Sequence, residues 1–313
     1  MSFRHLLFPI APDQRLENDF QEAFQIADSQ SAKVTLVTVI ENLEELKEIS
    51  KYSNKVSNLL DDVKATSHQF LEKQTAILKA KYPNIEFSTT VRIGIPFIEI
   101  IKLADEVQAS MIVINSLREH KTQACERGST TRFLMRKSGL PVWSNSPHRA
   151  PLRRIAVAVD VSFDEQASFN QKIVSLALEI CALTGAELIL LHAWNMDLAG
   201  FFQKWGSYRD LDIESISQDI QLERAERMKL LVNPNANSSV SQQFKLLKGE
   251  PKSVIPRFVV ENKIDMVIMG SLERTGIAGF LMGHTAESML DKLPCPVITL
   301  KPDEFHSPVL DNN

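Results

Sequence analysis

The residues best suited to chemistry lie between Met269 and Thr285, in the stretch MGSLERTGIAGFLMGHT. An apolar run, Ile264 to Met269, precedes it, and a helical run, Ala286 to Leu293, follows it. Strand, glycine-bearing loop and helix start, in that order, form a common anion site. The first N–H groups of a helix have no partner within it, and the helix dipole favours negative charge there. Gly270, Gly276, Gly279 and Gly283 are four of only eleven glycines in the chain, so this loop is where backbone can approach a ligand most closely. Asp160, closing the run IAVAVD, reads as a turn cap after a strand. His192, inside ELILLHAW, reads as a satisfied strand-end histidine rather than a catalyst. Phe201, Phe202 and Trp205, in a loop-like segment, could line an apolar cavity or pack a helix start into the core.

Catalytic patterns are absent: no GxSxG elbow, HExxH, GxxxxGK[ST] or paired Cys/His arrangement occurs. The seven histidines do not fall at metal-ligand spacing, and Cys125, Cys181 and Cys295 lie far apart with no CxxC, reading as reduced thiols. The expectation is a protein that is not an enzyme, with weak ATPase activity the one exception left open, and with no bound metal.

The elements that position these residues follow from periodicity. β-branched or apolar runs place strands at Leu6–Ala11, Val34–Ile40, Ile85–Ile93, Met111–Ile114 and around Val142 and Trp143. Helical spacing falls between them at Glu17–Ser29, Leu43–Lys81, Phe97–Val107 and Arg127–Ser138. A turn-rich linker, Ser144 to Pro151, then gives way to the same alternation. Its strands are Ile155–Asp160, Glu187–Trp194, Val240–Leu247, Asp265–Met269 and Pro296–Leu300, with helices at Asn170–Thr184, Glu214–Leu231, Lys252–Asn262 and His284–Leu293. The halves are a repeat in one register: Gly94-Ile95-Pro96 matches Gly249-Glu250-Pro251, Met111–Ile114 matches Met266–Met269, and Lys137, Pro141 and Val142 match Lys292, Pro296 and Val297, always 155 residues apart. Each half therefore reads βαβαβαβαβ, an α/β unit with a doubly wound parallel sheet. Ligands of such sheets sit at the carboxyl ends of the strands where strand order reverses, and the glycine loop after Met269 lies at such an end.

Composition bounds the rest. The chain of 313 residues suits two domains better than one, and 44% apolar with 24% charged residues excludes a disordered or fibrous protein. A net charge of −4 advertises neither nucleic acid nor an anionic membrane surface. No apolar run approaches the roughly 18 residues of a membrane span, and the short N-terminal apolar run reads as a strand rather than a signal peptide. The expected location is the cytoplasm.

With both repeats laid out, the chain resembles the tandem-type universal stress proteins. The likeness is strongest from Met266 to Pro308, where the Arg-Thr-Gly-Ile run, Thr-Ala-Glu and the Lys-Pro-Asp tail are specific. It implies two tandem five-stranded domains of the adenine nucleotide alpha hydrolase-like type with strand order 3-2-1-4-5: residues 1–146, residues 152–302 and a tail, 303–313. It also implies ATP as the candidate cofactor. Nucleotide-binding members use Gly-x2-Gly-x9-Gly-(Ser/Thr); here Gly270 and Gly283 fill the first and third positions, but Glu273 and His284 stand at the second and fourth. A carboxylate beside a phosphate at ~4 Å and effective dielectric ~20 costs on the order of 4 kcal/mol. That exceeds the roughly 1.5–3 kcal/mol of one charge-assisted hydrogen bond, so tight ATP binding needs Glu273 turned outward. Thr285 is placed to supply the missing hydroxyl, and His284 to meet phosphate when protonated. By the same resemblance Asp160 falls near the nucleoside, Ala193 where backbone reads adenine, and Met269 and Gly270 under ribose and phosphates. In the first half the matching positions are Asn115, Arg118, Gly128 and Ser129, with Ala11 in place of the Asp, so that half reads as a degenerate repeat kept for packing, its Gly128-Ser129-Thr130 opening and capping a helix.

Three readings follow: a stress protein whose second half binds a nucleotide or a related molecule, a nucleotide-free scaffold, and a carrier of an apolar, lipid-like ligand. The halves are expected to pack as an intramolecular pseudo-dimer. Further copies, in a homodimer, would associate through edge strands such as Pro296 to Leu300.

Overall fold

A computed structural model of the chain describes residues 3–11, 14, 16, 20–41, 54–116, 127–146, 151–195, 213–232, 239–271 and 283–311. The first half contains β1 (His5–Pro9), α1 (Gln21–Ser29), β2 (Lys33–Glu41), α2 (Asn54–Lys81), β3 (Glu86–Gly94), α3 (Pro96–Glu106), β4 (Met111–Asn115), α4 (Ser129–Lys137) and β5 (Val142–Asn145). The second contains β6 (Arg154–Ala158), α5 (Ala167–Thr184), β7 (Glu187–Trp194), α6 (Ile213–Leu230), β8 (Gln242–Lys248), α7 (Pro251–Glu261), β9 (Met266–Gly270), α8 (His284–Leu290) and β10 (Val297–Leu300).

Each half has the order 3-2-1-4-5 that the resemblance implies, and the two five-stranded sheets join into one sheet of ten, β3-β2-β1-β4-β5-β10-β9-β6-β7-β8. All pairings are parallel except the central one, where β5 and β10 run antiparallel with Trp143 opposite Ile298. Those two residues are equivalent in the repeat, so the pseudo-two-fold axis passes between them. The join corrects two expectations. Pro296 to Leu300 is no free edge, because β10 is hydrogen-bonded to β9 on one side and β5 on the other. Ser144 and Asn145 belong to β5 rather than to a linker, because β4 offers Ile114 and Asn115 as ladder partners and β10 offers Val297 to Ser144. The strands at the outer edges are β3 and β8, which carry charged residues such as Arg92, Lys245 and Lys248, a composition that discourages pairing with other chains.

Alternation along the strands builds two core layers. Leu6, Phe8, Val157, Leu190 and Ile268 face α1, α2, α5 and α6, while Leu7, Val37, Ala156, Leu191 and Val267 face α3, α4, α7 and α8. Both layers run unbroken across the two halves. The repeat is visible in local chemistry. Gly94 and Gly249 sit at φ +153 and +132, where a Cβ would meet Glu99 or Val254 within 2.8 Å, and each leads into a helix opened by a proline. Pro256 within α7 cannot donate to Lys252, and the Lys292 ammonium donates to that carbonyl instead, at 3.2 Å.

Candidate functional site

Strand order reverses between β6 and β9 in the second half, and their carboxyl ends open the crevice the sheet topology predicts for a ligand. Ala158 pairs with Met269 across it, Asp160 follows β6, Ala193 lies near the end of β7, and Gly270 ends β9. The sequence-predicted positions Asp160, Ala193, Met269 and Gly270 are thus gathered at one edge of the sheet.

Asp160 sits beyond β6 rather than in it, and its surroundings are fixed from several sides. Its Oδ1 accepts the Ser162 amide at 2.9 Å, an Asx turn that reverses the chain after the strand. Its carbonyl accepts Asn170 Nδ2 at 2.7 Å. His192 is buried, and Nδ1–H donates to the Val159 carbonyl at 3.2 Å. The Arg224 guanidinium donates to His192 Nε2 at 3.1 Å, which requires a lone pair there and sets the ring as the neutral Nδ1–H tautomer. Burial, with Arg224 adding to it, lowers the His192 pKa to about 4. Arg224 also donates to Ser162 Oγ, and Arg227 donates to the Val161 and Ser162 carbonyls at 3.2 Å. The turn from Val159 to Ser162 is therefore braced by three side chains from β7 and α6, and the Asp160 side chain is 21% exposed with its Oδ2 buried. His192 is the satisfied strand-end histidine expected, and Asp160 does cap its turn.

The end of β9 departs from the family's glycine motif. A Cβ on Gly270 would lie 2.7 Å from Phe169 Cε1, so the space its missing side chain leaves is filled by the Phe169 ring of α5. The Ser271 amide donates to the Leu300 carbonyl at 3.0 Å and the Gly283 amide to the Ser271 carbonyl at 3.2 Å. Two of the amides nearest the crevice are thereby engaged within the fold. Gly283 is the N-cap of α8, with no side-chain capping bond, and Thr285 is exposed in the first turn. His284 opens the helix, but its side chain, like Glu273, Gly276, Gly279 and the trio Phe201, Phe202 and Trp205, lies outside the described residues, as does Arg118 of the first half. Among the described residues, the Asp160 turn is held from several sides, while Gly270 faces Phe169 and the Ser271 and Gly283 amides are engaged within the fold.

Among the described residues of the first half no such braced turn is seen. Gly128 donates to the Ser116 carbonyl at 3.0 Å, matching Gly283 and Ser271, but Gln14 Oε1 takes the Ala11 amide where the second half has Asp160. Ser129 begins α4 with Gly128 as N-cap, and no side chain supplies the cap that the Gly-Ser-Thr run suggests.

A second cluster lies where the halves meet, and sequence reasoning missed it. Lys301, 3% exposed, donates from Nζ to the Met135 carbonyl at 2.7 Å and to Ser271 Oγ at 2.8 Å, with the Phe305 ring centroid 4.8 Å away. Desolvation lowers its pKa to about 7. Buried Arg127 crosses the other way, donating to the carbonyls of Leu290 and Cys295 and to Ser144 Oγ. Met135 and Leu290 are equivalent in the repeat, so each half sends one cation to the same carbonyl near the carboxyl end of the other half's helix, where the dipole favours it. The signal in sequence was slight: a lysine directly after the apolar run VITL, and an arginine just before a helix. The bracing arginines on α6 gave less, since ERAERMK reads as a solvated helix face.

No group of histidine, cysteine, aspartate and glutamate among the described residues is placed to hold a metal ion, and no described helix is long and apolar enough to cross a membrane.

Comparison with known proteins agrees with this geometry. The model of the universal stress protein family matches residues 2–144 and again residues 151–301. Universal stress protein E of Escherichia coli (strain K12) is 26% identical over 206 residues, an overlap of 63% of this chain and 63% of that protein's length. The Haemophilus influenzae homologue of universal stress protein E is 24% identical over 97% of this chain and 99% of its own. The structure of a universal stress protein from Archaeoglobus fulgidus DSM 4304 superposes with a TM-score of 0.58 at 19% identity, covering 96% of this chain and 99% of its own. A crystal structure from Pseudomonas aeruginosa UCBPP-PA14, classed with the same proteins, reaches 0.69 at 21% identity over 96% and 94%. Two consecutive family matches, and a sheet whose halves each follow the order 3-2-1-4-5, establish that the chain belongs to the universal stress protein family, in its tandem form.

Proposed function

We propose that this chain is a non-catalytic stress-response protein whose second half holds a small polar ligand of nucleoside type in the crevice between β6 and β9. The observation that carries this reading is the braced turn from Val159 to Ser162. His192, Arg224, Arg227 and Asn170 hold it in place, with the part-buried Asp160 side chain at its centre. A preformed polar turn at the topological switch point lowers the ordering cost of binding. The filled space beside Gly270 and the engaged amides of Ser271 and Gly283 argue that a triphosphate adds little affinity.

Isothermal titration of the full chain with adenosine, AMP and ATP tests this. The expected result is binding of adenosine or AMP at least as tight as ATP, weakened about tenfold or more by Asp160→Ala. ATP binding near one per chain that survives Asp160→Ala would overturn it. A nucleotide-free scaffold is the second reading, favoured by the packing of Phe169 against Gly270, which explains that glycine without a ligand. Mass spectrometry of small molecules released on denaturation separates the two, since the scaffold releases none. A lipid-like mass would instead support the carrier reading, whose residues Phe201, Phe202 and Trp205 lie outside the described ones.

A further inference from the structure

Helices α4 and α8 face each other across the pseudo-two-fold axis, and two ion pairs join them. Arg132 Nη2 lies 2.9 Å from Asp291 Oδ1, and Arg136 Nη2 bonds Glu287 Oε1. The repeat register relates these four residues in a telling way. Arg132 is equivalent to Glu287 and Arg136 to Asp291, each pair 155 residues apart. Equivalent positions thus carry opposite charge, and each contact joins the first position of one half to the second position of the other.

A symmetric interface built from two copies of one half repeats each contact with identical residues on both sides. Two first halves paired this way would set Arg132 against Arg136 twice. Two second halves would set Glu287 against Asp291 twice. Only the unlike pairing puts arginine opposite carboxylate at both contacts. The buried cations do not discriminate in this way, since Arg127 and Lys301 reach equivalent carbonyls.

We infer that Arg132, Arg136, Glu287 and Asp291 form a charge code that makes the α4 surface a docking site for α8 and rejects a second copy of itself. The partner it fits is the unlike half of this chain. Specificity of this kind rests as much on the repulsion built against the wrong partner as on the attraction to the right one. The inference is independent of what the β6–β9 crevice binds.

Two full-chain variants of identical net charge test it. Arg136→Asp with Asp291→Arg exchanges charges between equivalent positions. It sets arginine against arginine and carboxylate against carboxylate within the chain, while making each half complementary to its own kind. Arg136→Glu with Glu287→Arg exchanges charges within one contact and keeps both internal pairs attractive. Thermal melting at low ionic strength and sedimentation of both are compared with the unmodified chain. The expected result is that the first variant melts at least about 4 °C below the second, with the gap narrowing in high salt, and shifts toward species containing more chains. Failure of the first variant to fold while the second folds is the extreme of the same result. Equal melting of the two at low salt, or loss of folding in both, overturns the code.

Discussion

Lys301 offers the sharpest quantitative test, because it is a buried cation that meets neutral groups among the described residues: the Met135 carbonyl, Ser271 Oγ and the Phe305 ring. Its pKa of about 7 in the folded chain compares with 10.5 for an ordinary lysine. The sign follows from proton binding. Between those values the unfolded chain keeps the proton that the folded chain releases, so stability rises with pH from about 7 and levels off near 10.5. Below about 7 both states are protonated, and the cost of the buried charge is carried in full. From pH 7 to pH 9 the folded lysine goes from half to almost fully neutral while the unfolded one stays charged, which amounts to about 2 kcal/mol of added stability. Lys301→Met fills the same volume without the titrating group. Urea unfolding of both proteins at intervals from pH 6 to pH 9 is the assay, with the difference between them cancelling every other titration, including that of Cys181, whose thiol burial pushes up to about 12. The expected difference is flat at the acid end and then moves by about 2 kcal/mol in favour of the unmodified chain by pH 9. At pH 6 Lys301→Met should be as stable as the unmodified chain or more so, because apolar replacement of a buried ion is often neutral or stabilising. A difference that stays constant across the range would refute the argument that Lys301 is destabilised as a cation.

Two further predictions concern the second half. Gly270→Ala pushes a methyl against Phe169, and a well-packed site of this kind loses about 1–3 kcal/mol; chemical denaturation reads the loss, and adding Phe169→Leu should return part of it. His192, held neutral with its pKa at about 4, contributes stability that is present above its ordinary value of 6.5 and lost as pH falls from 6.5 toward 4, since the unfolded chain takes up the proton first. The expected loss is about 3 kcal/mol, and an acid unfolding curve in which His192→Gln lacks that component, while the other histidines titrate as before, would confirm its source.

Much of the fold was legible because burial on both faces of a parallel sheet leaves an apolar signature that needs no partner to be read. IAVAVD, ELILLHAW and VITL each mark a strand on their own, and the register of Gly94 with Gly249 is explained by positive φ before a proline-opened helix. What stayed hidden depends on residues distant in sequence. Lys301 meets Met135 from 166 positions away, and Arg224 meets His192 from 32, so neither charge could be told from a solvated one by its neighbours. The site shows the same division. Asp160 was picked out by the family resemblance, and of its two readings the turn cap is the one the Ser162 amide bond bears out. Gly270 is legible only in part: the tolerance of glycine for a ligand's approach and its tolerance for a phenylalanine ring give the same letter in the sequence.

Joining the halves in one chain permits asymmetries that a dimer of identical subunits cannot have. With a single sequence, Arg132 would face its own interface partner position twice over, and a charge favourable at one contact would recur at its mate. With two sequences, equivalent positions can take opposite charges, as Arg132 and Glu287 do, and the interface gains a preference for one arrangement. The same freedom reaches the sites. Ala11 and its Gln14 contact replace the braced turn of the second half, yet Gly128 still ties its helix to Ser116 as Gly283 does to Ser271. Among the described residues, these backbone bonds are kept in both halves, while the braced turn of Asp160 is seen in the second. On the function proposed above, a stoichiometry of one nucleoside-type ligand per chain, rather than two, is the outcome the titrations should return.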